Sequence, residues 1–296
     1  MKKMNFAVLG GDSRQFSLIE RLIDTGASVA VYGLPREGVP GGAEYCEDWR
    51  AAVSLADVVV LPLPVSPDGK LLHMPLLEES EPPRLRDVFD GIKKGALLAG
   101  GRFSPALREL AQECGYVPFD YAKSEMFEQR NAIPTAEGAV AILMEKMPCT
   151  VSGMSVAVTG YGRVGRALAH LLGAMGAKVT VGARKPLVLA EAAAAGHRIR
   201  RLGEEGTVVE LAQGNAVVFN TVPYWIFTEA VLRDIPGKTL LIDLASSPGG
   251  IDAQAAKKLG IPVIWALSLP GKYAPQSAGE IIADTVLAYM KEEGII

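Results

Sequence analysis

Apolar positions along this chain follow two rhythms in alternation. Short, largely apolar runs occur at 5–9, 29–32, 58–61 and 96–99, and again at 156–158, 179–181, 216–219, 239–242 and 262–265. Runs this short, bounded by turn-forming residues, predict strands buried on both faces of a sheet. Between them apolar residues recur three and four apart. Phe16, Ile19, Leu22 and Ile23 share one helical face, as do Leu168, Leu171, Leu172 and Met175. Further helices are predicted at 105–114, 123–147, 188–195 and from Leu202-Gly203-Glu204-Glu205 onward. Short strands are predicted at 116–119 and around Ile199, and a closing helix carries Ile281, Ile282, Val286, Leu287 and Met290. Strand and helix alternating in this way predict parallel sheets covered by helices on both faces.

One strand–turn–helix–strand unit, spanning 154–185, carries specific chemistry. Its first strand runs into Gly160-Tyr161-Gly162-Arg163-Val164-Gly165, a G-x-G-x-x-G turn at a helix start. In that context Gly160 permits the tight turn, Gly162 lets backbone N–H groups approach a pyrophosphate, and Gly165 lets the helix sit close on the strand. An NAD site normally places an acidic residue at the end of the second strand. Here that strand ends in Ala183-Arg184-Lys185, two cations and no carboxylate. Arg184 and Lys185 can pair with a 2′-phosphate, so the expected cofactor is NADP; a solvated surface charge at a strand end is the alternative for Arg184. Asn220-Thr221-Val222-Pro223 and Asp243-Leu244-Ala245 end two later strands. Both tips are expected at the same sheet edge, along the nicotinamide half of the cofactor.

The opening βαβ pattern has a different turn, Gly10-Gly11-Asp12-Ser13-Arg14-Gln15, without the three-glycine spacing. Backbone donors at a helix N-terminus, with Arg14 beside them, suit a carboxylate better than a dinucleotide; a purely structural turn with Arg14 at the surface is the alternative. Residues 66–83 form a long excursion at the edge where ligands of open α/β sheets sit. Lys70 and Arg102 lie in such loops, as candidates for an anionic substrate or as ordinary surface charges.

Composition narrows the rest. With 49% hydrophobic residues and a net charge of −3, both signs interspersed, nothing points to nucleic acid or an anionic membrane as partner. Met1-Lys2-Lys3-Met4-Asn5 leads straight into a strand rather than a leader, and no apolar stretch is long enough to span a bilayer. Cys46, Cys114 and Cys149 are scattered and do not cluster with His73, His170 and His197, so no metal site is expected. A cytoplasmic, reduced protein is the expectation.

At 123–147 the helical pattern meets Asn131-Ala132-Ile133-Pro134-Thr135-Ala136-Glu137-Gly138. Proline cannot continue a helix from upstream but can open a new one. A break is therefore predicted there, followed by a helix that crosses to a second domain. Asn131, Thr135 and Glu137 would stand beside an interdomain cleft as candidates for catalysis; helix capping alone is the alternative for Thr135 and Glu137. The fold expected is α/β, with two Rossmann-like doubly wound parallel-sheet domains. Residues 1–135 would form the substrate domain and 136–277 the NADP-binding domain, followed by a closing helix at 278–296.

With these residues in view, the chain resembles the dipicolinate synthase A subunits of spore-forming bacteria over essentially its whole length. The likeness rests on the 10–15 turn, on Asn131 to Gly138, on the 160–165 loop, on Asp243-Leu244-Ala245-Ser246-Ser247-Pro248-Gly249-Gly250, and on Leu269-Pro270-Gly271-Lys272-Tyr273-Ala274-Pro275. The layout is also similar to that of the formate/glycerate dehydrogenase and alanine dehydrogenase groups, a resemblance that implies a closing helix at 278–296 packing back on the first domain. The resemblance implies NADP-linked oxidation of dihydrodipicolinate to pyridine-2,6-dicarboxylate, the calcium-chelating acid of spores. It further implies a partner, a flavoprotein-like B subunit, together with a homo-oligomer. Ser13, Arg14, Arg102, Lys272 and Tyr273 are then the candidates for holding a small dicarboxylate. No histidine sits in a motif as an obvious base, which departs from the hydroxyacid dehydrogenases. Another NADP-dependent reductase of a small carboxylate, or a non-catalytic NADP-binding subunit, remains open at this point.

Overall fold

A computed structural model of the chain describes residues 4–77, 79–204 and 206–296. Met1–Lys3, Glu78 and Glu205 lie outside the described residues, and with them the leader reading and parts of the excursion and of the helix expected from Leu202. The chain divides into two compact units, Met1–Asn131 with Ala274–Ile296, and Ala132–Tyr273.

The first unit is built on β1 (Asn5–Leu9), β2 (Ser28–Tyr32), β3 (Glu44–Tyr45), β4 (Val58–Val60), β5 (Leu97–Gly100) and β6 (Phe119–Asp120). They form one sheet in the order β3-β2-β1-β4-β5-β6, every pairing parallel. Its helices are α1 (Arg14–Ile23), α2 (Trp49–Ser54), α3 (Leu85–Gly91) and α4 (Pro105–Glu113). The side chains of β1 alternate between two cores. Ala7 and Leu9 pack with α2, α3 and α4, whereas Phe6 and Val8 pack with α1 and with the closing helix.

Helix α5 (Glu125–Lys146) leads into the second unit, whose strands are β7 (Ser155–Thr159), β8 (Lys178–Ala183), β9 (Arg198–Arg201), β10 (Val217–Asn220), β11 (Leu240–Asp243) and β12 (Val263–Trp265). Their order, β12-β11-β10-β7-β8-β9, repeats the first sheet's connectivity, again wholly parallel. Helices α6 (Arg163–Ala174), α7 (Pro186–Ala194), α8 (Thr207–Gln213), α9 (Glu229–Arg233), α10 (Ala253–Leu259) and α11 (Leu269–Tyr273) complete it. Both sheets have the doubly wound order of Rossmann folds, in which the first strand and the one beyond it mark a switch point where connections change direction. The switch lies between β1 and β4 in one unit and between β7 and β10 in the other.

Helix α12 (Pro275–Glu292) closes the first unit. Ile281, Ile282, Val286 and Met290 join the core of Leu18, Ile19 and Leu22 from α1. The two helices touch at Gly279, where a Cβ would collide with the Arg14 carbonyl. Asp284 adds ion pairs to Arg21 and Arg130.

Three expectations need correction. Helix α5 runs unbroken through Pro134. The missing N–H and the ring clash cost about 3 kcal/mol, but Val140, Ile142 and Leu143 are buried further along the same helix. Each contributes about 1.5–3 kcal/mol, enough to carry the helix across the proline. The strand expected at 116–119 is β6, shifted to Phe119–Asp120, because the Tyr116 hydroxyl donates to the Ile92 carbonyl and draws that segment off the sheet. Helix α8 begins at Thr207, not at Leu202, after Gly206 in the left-handed region with φ 81°.

Candidate functional site

The Gly160–Gly165 turn sits at the second unit's switch point. Gly160 adopts φ +86°, and a Cβ there would stand 2.5 Å from the Thr221 Oγ1. At Gly165 a Cβ would run into the Gly160 carbonyl, so the glycine allows α6 to start against the strand end. Gly162 differs: nothing lies within 4 Å of its Cβ position, although its φ of −80° suits any residue. Clearance is therefore kept in front of the N-terminus of a 12-residue helix, where unpaired N–H groups and the helix dipole favour an anion. Tyr161 does not face that space. It is buried under the Arg166 guanidinium and beside His197.

Beside the turn lies a cavity of about 470 Å³. Val188, Leu202, Val208, Val222 and Ile226 give it apolar walls, and Gly160, Gly182 and Ala183 its strand-end floor. Arg184 and Lys185 stand exposed at its rim. An apolar slot with cations on its rim, reaching the glycine turn that precedes α6 at Gly160, matches the chemical groups of adenosine, its phosphates and the pyrophosphate. Glu204 lies on the same rim. It follows β9 rather than β8, which is why attention to the β8 end alone missed it.

The tips of β10 and β11 are locked together below the surface. Asn220 and Asp243 are buried, 0% and 2% exposed. Asn220 Nδ2 donates to Asp243 Oδ1 (2.8 Å) and to the Val222 carbonyl (3.0 Å), while its Oδ1 accepts from Thr159 Oγ1 (2.7 Å) and from the Val222 N–H. Asp243 accepts the N–H groups of Ala245 (3.1 Å) and Gly250 (2.8 Å). Both side chains thus shape the loops and do not reach out to a ligand. Thr221, Val222 and Leu244 are half-buried and Pro223 exposed; Ala245 is buried and its carbonyl accepts from Trp265 Nε1.

The first unit's turn, Gly10 to Ser13, occupies the equivalent switch point but is filled. Arg14 is 6% exposed. Its Nε and Nη2 grip Asp12 Oδ1 and Oδ2 at 2.8 and 2.7 Å, and Nη2 also donates to the Leu63 carbonyl (2.6 Å) beyond β4. Arg14 therefore clamps the two loops of the switch point and is not an outward cation. Burial alone would raise the Asp12 carboxyl, but the hydrogen bonds and charge of Arg14 prevail and hold it below its ordinary value. His73 and Met74 press on the glycines: Gly11 N donates to the His73 carbonyl (2.8 Å), and a Cβ on Gly10 would stand 2.7 Å from that oxygen. Burial pushes the His73 imidazole below its ordinary value, against the pull of the Pro64 carbonyl and of Asp12.

The remaining candidates are spread out. Asn131 and Thr135 stand four residues apart on one face of α5, while Glu137 falls about 200° round from Thr135 and shares the exposed Ile133 side. The three do not form one cluster on the helix, and mid-helix Thr135 and Glu137 are not caps. Gly138, on the Thr135 side, packs against Leu269 and Tyr273. Lys272 and Tyr273 are exposed at the end of α11. Exposed Arg102 has φ 60°, a conformation fixed by the buried Asp120, which accepts the N–H groups of Arg102 (2.8 Å) and Phe103 (3.2 Å) and pairs with Arg108. Lys70 lies exposed in a turn closed by Asp68. Ser13 is half-buried at the N-cap of α1. Among the described residues no group of His, Cys, Asp or Glu could hold a metal ion, and no helix is long and apolar enough to cross a membrane.

Comparison with known proteins matches these two units separately. Residues 5–122 fit the family model for the N-terminal domain of the dipicolinate synthase A subunit, and residues 155–247 fit that for NADP oxidoreductase, coenzyme F420-dependent. The dipicolinate synthase A subunit of Bacillus subtilis (strain 168) is 29% identical over 295 residues, 98% of this chain and 96% of that protein. The crystal structure of the dipicolinate synthase A subunit from Bacillus halodurans has a TM-score of 0.87 at 28% identity, covering 97% of each chain. The transhydrogenase from Sinorhizobium meliloti, 16% identical, has the same fold, with a TM-score of 0.72 over 97% of this chain and 94% of that one. The second unit is accordingly a pyridine-nucleotide-binding domain of the oxidoreductase type.

Proposed function

We propose that this chain, a relative of the dipicolinate synthase A subunit from end to end, oxidises dihydrodipicolinate to pyridine-2,6-dicarboxylate with NADP. The observation that carries this reading is the pair of switch points. The second is open, with a helix N-terminus and a cation-rimmed cavity, and the first is closed to a dinucleotide by Gln15, His73 and Met74.

Bound NADP supplies the hydride acceptor. The chain's own residues do the rest. Backbone N–H groups at Gly162 and Arg163 hold the pyrophosphate, and Arg184 with Lys185 holds the 2′-phosphate. The buried Thr159–Asn220–Asp243 network keeps the β10 and β11 tips in place beside it. The substrate loses a hydride and a proton and becomes aromatic, so most of the driving force lies in the ring; the chain supplies orientation and donors for two carboxylates. Exposed Arg102, with the first turn, is the first unit's candidate for that role, and exposed Lys272 and Tyr273 are the second unit's. Of the α5 candidates, Asn131 and Thr135, which share one helix face, are the groups assigned to the reacting ring, and Glu137, on the opposite face, is left out of that role. A second, flavoprotein-like subunit joins the chain in the working assembly.

The test is to supply purified chain, with and without that partner, with dihydrodipicolinate and NADP, and to follow pyridine dicarboxylate and NADPH together by absorbance. One NADPH per product is the expected result. Product without NADPH would contradict the cofactor's role, and product only in the partner's presence would restrict activity to the complex.

A further inference from the structure

The filled turn of the first unit has two buried nitrogens with no hydrogen-bond partner, Gln15 Nε2 and His73 Nδ1. Gln15 is 2% exposed. Its amide curls back over the glycine turn: a Cβ on Gly11 would stand 2.6 Å from the Gln15 Cγ and 3.1 Å from Nε2. An amide N–H buried without an acceptor is costly, about 1–3 kcal/mol, and such groups are rare in folded proteins. A motif that places one at the first turn of a 10-residue helix, at the switch point of an open sheet, is built for an acceptor from outside.

We infer that Gln15 is the anchor for one carboxylate of the small-molecule substrate, with His73 as the opposite wall of the pocket. This deepens the reading given above, on which the substrate is a dicarboxylate, and it reassigns the role first expected of Arg14. The Arg14 guanidinium is spent on Asp12, whose charge it cancels, and on the Leu63 carbonyl. What remains to attract an anion is the positive end of α1 and the Gln15 amide. The carboxylate reaches them when the His73–Met74 corner lifts from the turn, breaking the Gly11 N–H bond to the His73 carbonyl. A carboxylate oxygen then accepts from Gln15 Nε2. Arg14 is a positioning residue that holds the loops after β1 and β4 at the spacing this needs.

The test uses the full chain, pyridine-2,6-dicarboxylate as the probe, and calorimetric titration. In Gln15→Leu, of similar size but without the donor, affinity should fall about 10–100-fold, the loss of one hydrogen bond to a charged group. Its Tm should be unchanged or higher, because an unsatisfied donor has been removed, and NADPH affinity should stay at the wild-type value. Gln15→Glu, which sets a carboxylate against the ligand's, should abolish binding of the probe while leaving NADPH binding intact. Wild-type affinity in Gln15→Leu would overturn the assignment. So would a lowered Tm in Gln15→Leu combined with undiminished binding in Gln15→Glu, which would make the amide a packing group. Failure of the wild-type chain to bind the probe at all is a separate outcome; it would overturn the dicarboxylate reading itself.

Discussion

The two units repeat one sheet order and place a glycine turn at the same point of it, yet their turns do opposite things. After β7, Gly162 faces open space and both it and Arg163, at the start of α6, are exposed. After β1, the corresponding volume holds the Gln15 side chain, the Asp12–Arg14 pair and the His73–Met74 corner. The difference comes from a few residues. Where the second turn reads Gly-Tyr-Gly-Arg-Val-Gly, the first reads Gly-Gly-Asp-Ser-Arg-Gln. A shared scaffold therefore does not give a shared ligand; side chains returned into the turn decide what can enter.

Substitutions that move one turn toward the other should separate the two roles. The largest effect is expected from closing the open turn. In Gly162→Val the new Cβ has no protein atom within 4 Å, so Tm should hold, but the side chain stands where the pyrophosphate approaches. NADPH affinity measured by fluorescence titration should fall on the order of 100-fold, one or two charge-assisted hydrogen bonds. Opening the closed turn by Arg14→Ala leaves Asp12 without its partner and should destabilise the first unit by about 3–5 kcal/mol in denaturant unfolding. Acid acts on the same pair. Because Asp12 titrates below its ordinary value of 3.8, its stabilisation is complete above that value and is lost as pH falls through the lower folded one. Asp12→Asn should flatten this acid limb of the stability curve, and an unchanged limb would remove Asp12 from it.

Smaller effects are expected at the cavity rim. Arg184→Asp should weaken NADPH about 10–100-fold and leave NADH nearly as in the wild type; equal loss of both would defeat the 2′-phosphate role. Glu204→Gln should strengthen NADPH by about 2–5-fold, since an exposed carboxylate beside a phosphate is a screened repulsion worth a fraction of a kcal/mol to about 1 kcal/mol. No change would place Glu204 away from the phosphate.

The scaffold and the open turn were legible in the sequence because they rest on periodicity and on glycines whose spacing has one use. Doubly buried strands such as Val156 to Val158, alternating with helical faces, favour a parallel sheet, and Gly160, Gly162 and Gly165 each answer to a distinct steric demand. The filled turn was only half legible. Arg14 and its neighbours were visible, but their destinations depend on Leu63 and His73, some 50 and 60 residues away in the chain. The same holds for Asp243, which looks like a loop-tip ligand group until Asn220 and the Gly250 N–H claim it. Continuity of α5 through Pro134 was not legible at all, because local propensity argues for a break and only burial of Val140, Ile142 and Leu143 overrides it. The two-residue strand β3 escapes for a similar reason, and β6 is displaced from its expected place: pairing with β2 and β5 defines them, not their own composition.

The central claim is that a dinucleotide enters one turn and not its counterpart. Calorimetric titration of the full chain with NADPH tests it most directly, run in parallel on Gly162→Val and Gln15→Leu. One site per chain, lost in Gly162→Val and unchanged in Gln15→Leu, is the expected result. Two sites per chain, or a single site lost in Gln15→Leu and kept in Gly162→Val, would contradict it.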